Sequence, residues 1–306
     1  MCGNGTLAYQ TTTLDNMNIL TFDIEEWFHI LETAETETPD KWDNFETRIY
    51  KNTDRILDAL EGSGSKATFF IVGWIAKKYP DIVKKISEKY EIGSHTGIHR
   101  PVWSQNRNDF KDDVRKTVRL LEDISGKKVL SFRAPGFSIR HSELWAFDIL
   151  ADEGIVYDSS VFPGAHAHGG IPNAPFSPFK IKCHSGTIKE FPISVKRILG
   201  KNIIFSGGGY FRITPYPLVK KWMKQSVYNI SYIHPRDMDP SQPVIKSLSA
   251  LRKFKSYCGL KTAEKKFKKM LSDFKFLDIS SADKSIDWES SISKDIADSS
   301  QNAFAH

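Results

Sequence analysis

The chain alternates short apolar runs with longer segments in which apolar residues recur every three or four positions. The short runs are rich in β-branched and aromatic residues, which is typical of strands. They read NILTF, KATFFIV, YEIGS, KVLSFR, IVYDSS, TIKEFPI, NIIFS, VYNISYI and KFLDI. Three of the longer segments have helical spacing and end at Gly62, Gly126 and Gly154. Strands and helices in turn predict βα units and a parallel sheet, either an open doubly wound sheet or a barrel.

The length of 306 residues allows one large α/β domain or two small ones, and the sequence shows no internal repeat. Residues 1–17 are predicted to form a flexible leader, and residues 281–306 a polar, poorly ordered tail. Residues 163–178 are rich in glycine and proline and predict a long loop. Long loops within a compact domain are often functional, so this segment is a candidate part of a site.

Polar side chains that can do chemistry follow the predicted strands at the point where each strand ends. They are Asp23, Glu25, His95, His99, Arg133, Asp158 and His234. The carboxyl ends of parallel strands meet at one edge of the sheet, and this is the edge where ligands bind in α/β folds. The pattern therefore predicts one active site at that edge.

The spacing of His95 and His99 suits a metal site, because H-x-x-x-H on a helix directs two imidazoles to the same face. A carboxylate would complete a three-ligand site that leaves positions open for water and substrate. Asp23 and Glu25 lie two residues apart at a strand end, so one can bind the metal and the other accept a proton. The alternative is that these acids cap the next helix and that the histidines are an ordinary surface pair.

Composition sets limits on partners. The net charge is +6 and is concentrated in LRKFKSYCGLKTAEKKFKKMLSDF, a segment with helical spacing and a break near Gly259. A basic helix face exposed to solvent explains this charge. The more specific alternative is that this face contacts an anionic lipid surface or an anionic glycan carrier. No basic motif interleaved with aromatic residues indicates nucleic-acid binding. Cys2, Cys183 and Cys258 lack C-x-x-C spacing and no signal peptide is evident, which predicts a cytoplasmic protein.

Taken together, these motifs resemble the polysaccharide deacetylase family, that is, carbohydrate esterase family 4 with its NodB homology domain. The resemblance rests on TFDIE, SHTGIH, RAPG, DSS and IHP in that order, and it covers about residues 18–280. SGGGYFRITPYP, residues 206–217, is similar to the branch associated with exopolysaccharide and lipopolysaccharide biosynthesis. The resemblance implies a distorted (β/α) barrel with about seven parallel strands, and hydrolysis of an N-acetyl group from an amino sugar.

The family pattern also implies a cofactor and its ligands. It implies zinc, although other divalent transition metals suit two imidazoles and a carboxylate as well. His95 and His99 resemble its two histidine ligands. Most relatives place the third ligand directly after the base, where this chain has Ile24. We therefore expect Glu25 to be the third ligand, with Glu26 as the second choice.

The acid and base are assigned by the same resemblance. Asp23 is similar to the base that takes a proton from the attacking water, and Arg133 to the arginine that orients it. His234 is similar to the acid that protonates the leaving amine, and Asp158 to the carboxylate that keeps this histidine charged.

Substrate contacts are harder to place, because Gly136 and Phe137 stand where many relatives have Tyr-Gly. The backbone N–H near Gly136 is expected to bind the oxyanion. The remaining candidates are aromatic residues able to stack on sugars, each of which is as readily explained as core. They are Trp27, Phe137, Tyr210 and Phe211, with Trp103 as a further candidate.

The expected partner is an amino-sugar glycan or its carrier-linked precursor. Two alternatives to the deacetylase remain open. One is a hydrolase of a small non-peptide amide, as in allantoinase-like relatives. The other is a carbohydrate-binding protein that keeps the metal pocket without turnover, although such a protein needs no base, acid or orienting arginine. A serine hydrolase is disfavoured because no G-x-S-x-G motif is present.

Overall fold

The structure is a computed structural model that describes residues 16–297 and Phe304. Within these residues a nine-stranded sheet and a separate two-stranded hairpin are formed. The strands are β1 (Met17–Ile24), β2 (Thr68–Ile71), β3 (Glu91–Ser94), β4 (Ser131–Phe132), β5 (Tyr157–Asp158), β6 (Phe179–Cys183), β7 (Gly186–Glu190), β8 (Val195–Ile198), β9 (Lys201–Ile204), β10 (Tyr228–Ile233) and β11 (Ser293–Asp295).

Helices connect most of the strands. They are α1 (Pro39–Trp42), α2 (Ile49–Glu61), α3 (Gly73–Lys78), α4 (Pro80–Lys89), α5 (Arg107–Ser125), α6 (Trp145–Asp152), α7 (Gly208–Ile213), α8 (Tyr216–Gln225), α9 (Ala250–Tyr257), α10 (Leu260–Asp273) and α11 (Ile279–Asp283). Short 3₁₀ turns follow some of the strands, among them Pro135–Phe137 and Pro235–Met238. None of the helices in the described part of the chain is long and apolar enough to cross a membrane.

The sheet has the order β10-β1-β2-β3-β4-β5-β7-β6-β11. Its first seven strands are parallel, whereas β6 runs antiparallel to β7. The chain after β7 closes against β10, because Ile230 N donates to Ser194 Oγ at 2.7 Å and the Tyr228 hydroxyl donates to Pro192 O at 2.8 Å. The predicted α/β class and the distorted barrel of about seven parallel strands are confirmed.

The central strand β1 is buried on both faces, as is usual for a parallel sheet covered by helices. Phe22 stacks on Phe69 of β2, with ring centroids 4.7 Å apart, and meets the edge of Phe267 of α10 at 5.8 Å. Burial of one such side chain contributes about 1.5–3 kcal/mol. This apolar packing fixes β1 in place. Its last two residues, Asp23 and Ile24, lie at the edge of the sheet where the site is.

The ends of the chain differ in part from the sequence-based expectation. Within the predicted poorly ordered tail, β11 adds an edge strand to the sheet beside β6, because Ile296 is apolar and is buried there. The predicted break at Gly259 is confirmed, since its φ of 77° separates α9 from α10. Residues 1–15, with Cys2 and most of the predicted leader, lie outside the described residues.

Candidate active site

The site lies at the carboxyl ends of β1, β3, β4 and β10. The structure brings together six of the seven polar residues predicted from the strand ends, all of them largely buried. They are Asp23, Glu25, His95, His99, Arg133 and His234. The seventh, Asp158, follows β5 and contacts a different set of residues.

Three side chains could hold a metal ion. Potential ligand atoms of Glu25, His95 and His99 all lie within 4.8 Å of one another. His95 Nδ1 contacts the carbonyl oxygen of Arg133 at 2.7 Å, which leaves Nε2 for a metal. His99 Nε2 lies 2.6 Å from Glu25 Oε2, so the carboxylate and the imidazole already face each other. This donor set fits a divalent transition metal with open coordination positions.

The two histidines reach the site by a route that the sequence did not predict. They were expected on one face of a helix, but residues 95–100 form a loop after β3. Thr96 and His99 have φ values of 59° and 53°, and these turns direct both imidazoles inward. Asp113 of α5 fixes the loop, because both of its carboxylate oxygens accept from Gly97 N, at 2.8 and 3.0 Å.

Electrostatics favours the ionisation states that a metal ligand needs. Burial lowers the pKa of His95 to about 4, so this imidazole is neutral at pH 7. Burial acts to raise the pKa of Glu25, but the charges of His99 and His234 outweigh it and lower the value to about 2. The site therefore presents an ionised carboxylate and a neutral imidazole before any metal binds.

Asp23 is held by Arg133, whose side chain is fully buried. Arg133 Nη1 donates to Asp23 Oδ1 and to Thr21 Oγ1, each at 2.8 Å. Its Nε and Nη2 donate to Ser159 O and Oγ, and Phe70 lies under the guanidinium at 4.3 Å. Burial acts to raise the pKa of Asp23, but Arg133 and the nearby histidines lower it below its ordinary value. Asp23 is therefore an oriented, ionised carboxylate.

His234 has a partner that was not predicted. Its Nδ1 contacts Asp237 Oδ2 at 2.9 Å, and the other oxygen of Asp237 lies 2.8 Å from Arg212 Nε. Burial acts to lower the pKa of His234, but Asp237 and Glu25 raise it to about 9. His234 Nε2 then faces Asp23 Oδ2 at 3.7 Å. A protonated imidazole and an ionised carboxylate thus share one site.

The assignment of Asp158 as the partner of His234 is therefore corrected. Asp158 accepts from Ser160 N at 2.8 Å and from Ser160 Oγ at 2.7 Å, and it lies beside the carboxyl of Glu190. Asp237 occupies the position expected for Asp158 because the 3₁₀ turn Pro235–Met238 folds it back onto the His234 ring. A carboxylate three residues after a strand-end histidine is the signal that would have identified it.

Glu26, the second choice as metal ligand, instead accepts hydrogen bonds at the start of α2. Its Oε1 accepts from Thr47 Oγ1 at 2.6 Å, Arg48 N at 2.9 Å and Ile49 N at 3.1 Å. These bonds satisfy free N–H groups at the start of α2. The expectation that the acids after β1 cap the next helix is thus right for Glu26, whereas Glu25 faces the histidines.

Comparison with known proteins agrees with this geometry. A family described as "Polysaccharide deacetylase" matches residues 12–147, which contain Asp23, the three candidate metal ligands and Arg133. A peptidoglycan-N-acetylglucosamine deacetylase from Bacillus cereus is 36% identical over 96 residues, which are 31% of this chain and 35% of that protein. The first half of the chain is therefore similar to the polysaccharide deacetylases.

The second half of the chain matches another family. A "Domain of unknown function (DUF3473)" matches residues 159–284, which contain His234 and Asp237. A chitooligosaccharide deacetylase from Sinorhizobium fredii is 25% identical over 103 residues, 32% of this chain and 44% of that protein. The chain therefore spans less than half the length of either relative.

A solved structure from Mycobacterium smegmatis, assigned to the polysaccharide deacetylases, is similar to this one. The two chains are 17% identical and have a TM-score of 0.61 over 89% of this chain and 90% of that one, which shows a shared fold.

Of the aromatic residues predicted to contact sugar, only Tyr210 is exposed, to 42%. Trp27 is buried beside Phe28 and its Nε1 donates to Glu46 O at 2.9 Å. Phe211 is buried in the main core. Phe137 is buried against Tyr232, with ring centroids 4.9 Å apart. Core packing therefore explains three of the four, whereas Tyr210 lies beside His234 in a cavity of about 230 Å³.

Backbone geometry bears on the remaining predicted contacts. Gly136 has a φ of 60°, and a Cβ there would approach Leu31 Cδ1 to 2.6 Å, so glycine is required. Phe137 N already donates to Ala134 O at 3.1 Å. Gly207 packs directly against the Tyr232 ring, and a Cβ on Gly209 would come within 2.7 Å of Lys255 O. The run of three glycines thus lets α7 pack closely against β10 and α9.

Proposed function

We propose that this protein is a metal-dependent N-deacetylase that hydrolyses the N-acetyl group of an amino sugar. The observation that carries the proposal is the pairing of Asp23, held by Arg133, with His234, held by Asp237, across a carboxylate and two imidazoles. A protein that only binds a glycan needs neither an oriented base nor a charged histidine.

Glu25, His95 and His99 would hold the metal. We propose zinc, because two imidazoles and one carboxylate are a ligand set of catalytic zinc sites. When bound, such an ion acts as a Lewis acid on the amide carbonyl and lowers the pKa of water. The remaining steps belong to the side chains of the chain itself.

Asp23 would take the proton from the attacking water, because its carboxylate is ionised and Arg133 fixes its orientation. His234 would give its Nε2 proton to the leaving amine, since Asp237 holds the opposite ring nitrogen. The Gly136 N–H would support the oxyanion, a contact that is typically worth about 2.7–4 kcal/mol in other hydrolases.

The substrate we propose contains N-acetylglucosamine or a related amino sugar, as the names of the relatives suggest. Tyr210 would stack on a sugar ring, because it is exposed and lies beside His234. These relatives weigh against the small-amide alternative.

We further propose action on a precursor in exopolysaccharide or lipopolysaccharide biosynthesis, in the cytoplasm. The free thiols of Cys183 and Cys258 suit a reducing compartment. Leu251 and Phe254 are exposed on α9, 64% and 54%, among basic residues. This face would suit contact with a membrane surface or an anionic, carrier-linked substrate.

The test is acetate release from N-acetylglucosamine oligomers and from carrier-linked N-acetyl sugars, by protein loaded with one zinc per chain. We expect turnover by the wild type and a loss of at least about 10²-fold in Asp23→Asn. Metal content of the variant is the control, since Asp23 is not a proposed ligand. If the loaded wild type releases acetate from none of these substrates, the deacetylase proposal fails.

A further inference from the structure

One buried cation beside the active site forms no ion pair with an acid in the described part of the chain. Arg236 follows His234 by two residues and is only 9% exposed. Its Nε donates to the neutral Gln242 Oε1 at 3.1 Å. Its Nη2 is buried and has no hydrogen-bond partner among the residues that the structure describes. Asp237 and Glu25 attract the guanidinium without forming an ion pair with it, and a buried donor without a partner costs free energy that an anionic ligand would recover.

The position of Arg236 is fixed by its surroundings. Gln242 Nε2 donates to the carbonyl oxygens of Arg236, at 2.7 Å, and Asp239, at 2.9 Å. The ring of Tyr257 lies 5.7 Å from the guanidinium carbon. A side chain held in this way presents its unused donors without a large loss of rotamer entropy on binding.

The neighbouring acids are already engaged. Asp237 lies between His234 and Arg212, with one oxygen toward each. Glu25 faces His99 at 2.6 Å. Neither carboxylate therefore serves as a dedicated counter-ion for Arg236.

Arg236 lines the same cavity as Glu25, His234 and Tyr210, and the exposed Lys255 adds a further cation to its wall. A substrate whose acetamide meets His234 would bring its adjoining groups into this cavity. Arginine is well suited to such a contact, because its planar guanidinium binds carboxylate and phosphate through two parallel hydrogen bonds.

We propose that Arg236 binds an anionic group of the substrate, either a phosphate or a carboxylate, on the amino sugar that loses its acetyl group or on the next unit. The substrate class is therefore a negatively charged amino-sugar compound rather than a neutral chitin-like chain. This inference rests on the proposed deacetylase function and adds the charge of its substrate.

The test measures binding by calorimetry to zinc-loaded protein at fixed salt. The probes are N-acetylglucosamine, N-acetylglucosamine 1-phosphate and N-acetylmuramic acid, which carry no anion, a phosphate and a carboxylate. We expect at least one anionic probe to bind about tenfold or more tightly than the neutral sugar, as a charged hydrogen bond warrants. The probe that is preferred identifies the source of the anion. Equal affinity for all three overturns the proposal.

Variants separate Arg236 from the metal and from diffuse charge. Arg236→Gln should bring the ratio of anionic to neutral affinity close to one, whereas Lys221→Gln, at an exposed position of α8 outside the cavity, should change it less than about threefold. A preference that persists in folded Arg236→Gln would come from the metal and would overturn the proposal. If that variant unfolds, Arg236→Met, which is also neutral, is used, and an unchanged ratio there has the same meaning.

Binding needs no turnover, so the two proposals fail separately. Equal binding of the three probes would leave acetate release intact. Absence of acetate release would leave the anion preference measurable.

Discussion

Buried carboxyl groups lie on two sides of Arg133, and their pKa values shift in opposite directions. Asp23 contacts the guanidinium directly, at 2.8 Å. Asp158 and Glu190 are separated from it by Ser159, whose carbonyl and hydroxyl take the Nε and Nη2 bonds. Arg133 lowers the pKa of Asp23 against burial, whereas burial prevails at Asp158 and Glu190 and raises the pKa of both.

The difference shows that burial alone does not decide the charge of a carboxyl. A direct ion pair with hydrogen bonds offsets the loss of hydration, and one intervening residue is enough to weaken that offset. The carboxyl beside Arg133 is therefore held in its ionised form, whereas burial favours the protonated form of the pair behind Ser159. Asp158 was predicted to act in catalysis because residue type and strand-end position are the same in both regions.

The largest expected effect compares two isosteric substitutions, Asp237→Asn and Asp158→Asn. We expect Asp237→Asn to lower kcat for deacetylation by at least about 10²-fold, because His234 loses the carboxylate that keeps it charged. Asp158→Asn should lower kcat by less than about threefold. Both are measured as acetate release per zinc-loaded chain, with metal content as control. An equal loss in the two variants would restore Asp158 to the catalytic group.

A smaller effect is expected from Arg133→Lys, which keeps the charge and removes the planar fork. One ammonium cannot reach Asp23, Thr21 and Ser159 together, so the variant should lose about 2–4 kcal/mol of unfolding free energy. We expect kcat to fall about tenfold, because Asp23 is no longer oriented. Urea denaturation and acetate release measure the two effects, and unchanged stability would argue against the described bonds.

The smallest effect is a change in the pH dependence of stability in Glu190→Gln. The folded-state pKa of Glu190 lies above its unfolded value, so the folded chain binds more protons and the wild type loses stability as pH rises from about 4. The glutamine variant lacks this contribution. Its stability relative to the wild type should therefore rise between pH 5 and pH 7, on the order of 1 kcal/mol.

Urea denaturation of both proteins at each pH provides the measurement, and taking the difference cancels the titration of groups that the two proteins share. If the unfolding free energies of the two proteins change in parallel from pH 5 to pH 7, Glu190 has an ordinary pKa. The contrast between Glu190 and Asp23 would then be wrong.

Several parts of the site could be predicted from sequence because they depend on local order. Asp23, Glu25, His95 and His99 follow β1 and β3, and parallel strands place their carboxyl ends together whatever the details of packing. The role of Asp237 could not be assigned in this way, since it depends on the fold of one 3₁₀ turn after β10. Trp27 and Phe211 could not be assigned either to the core or to a sugar site, because an aromatic residue has the same sequence pattern in both.

The sequence by itself therefore determined the alternation of strands and helices, the edge of the sheet where the candidate residues gather, and the residues that we propose as base and metal ligands. Only the tertiary structure decided which carboxylate partners His234, which acid after β1 caps α2, and which aromatic side chain remains exposed. The physical reason is that strand periodicity is a local property. Ionisation and exposure are set instead by residues distant in sequence, such as Arg133 for Asp23, which are 110 positions apart.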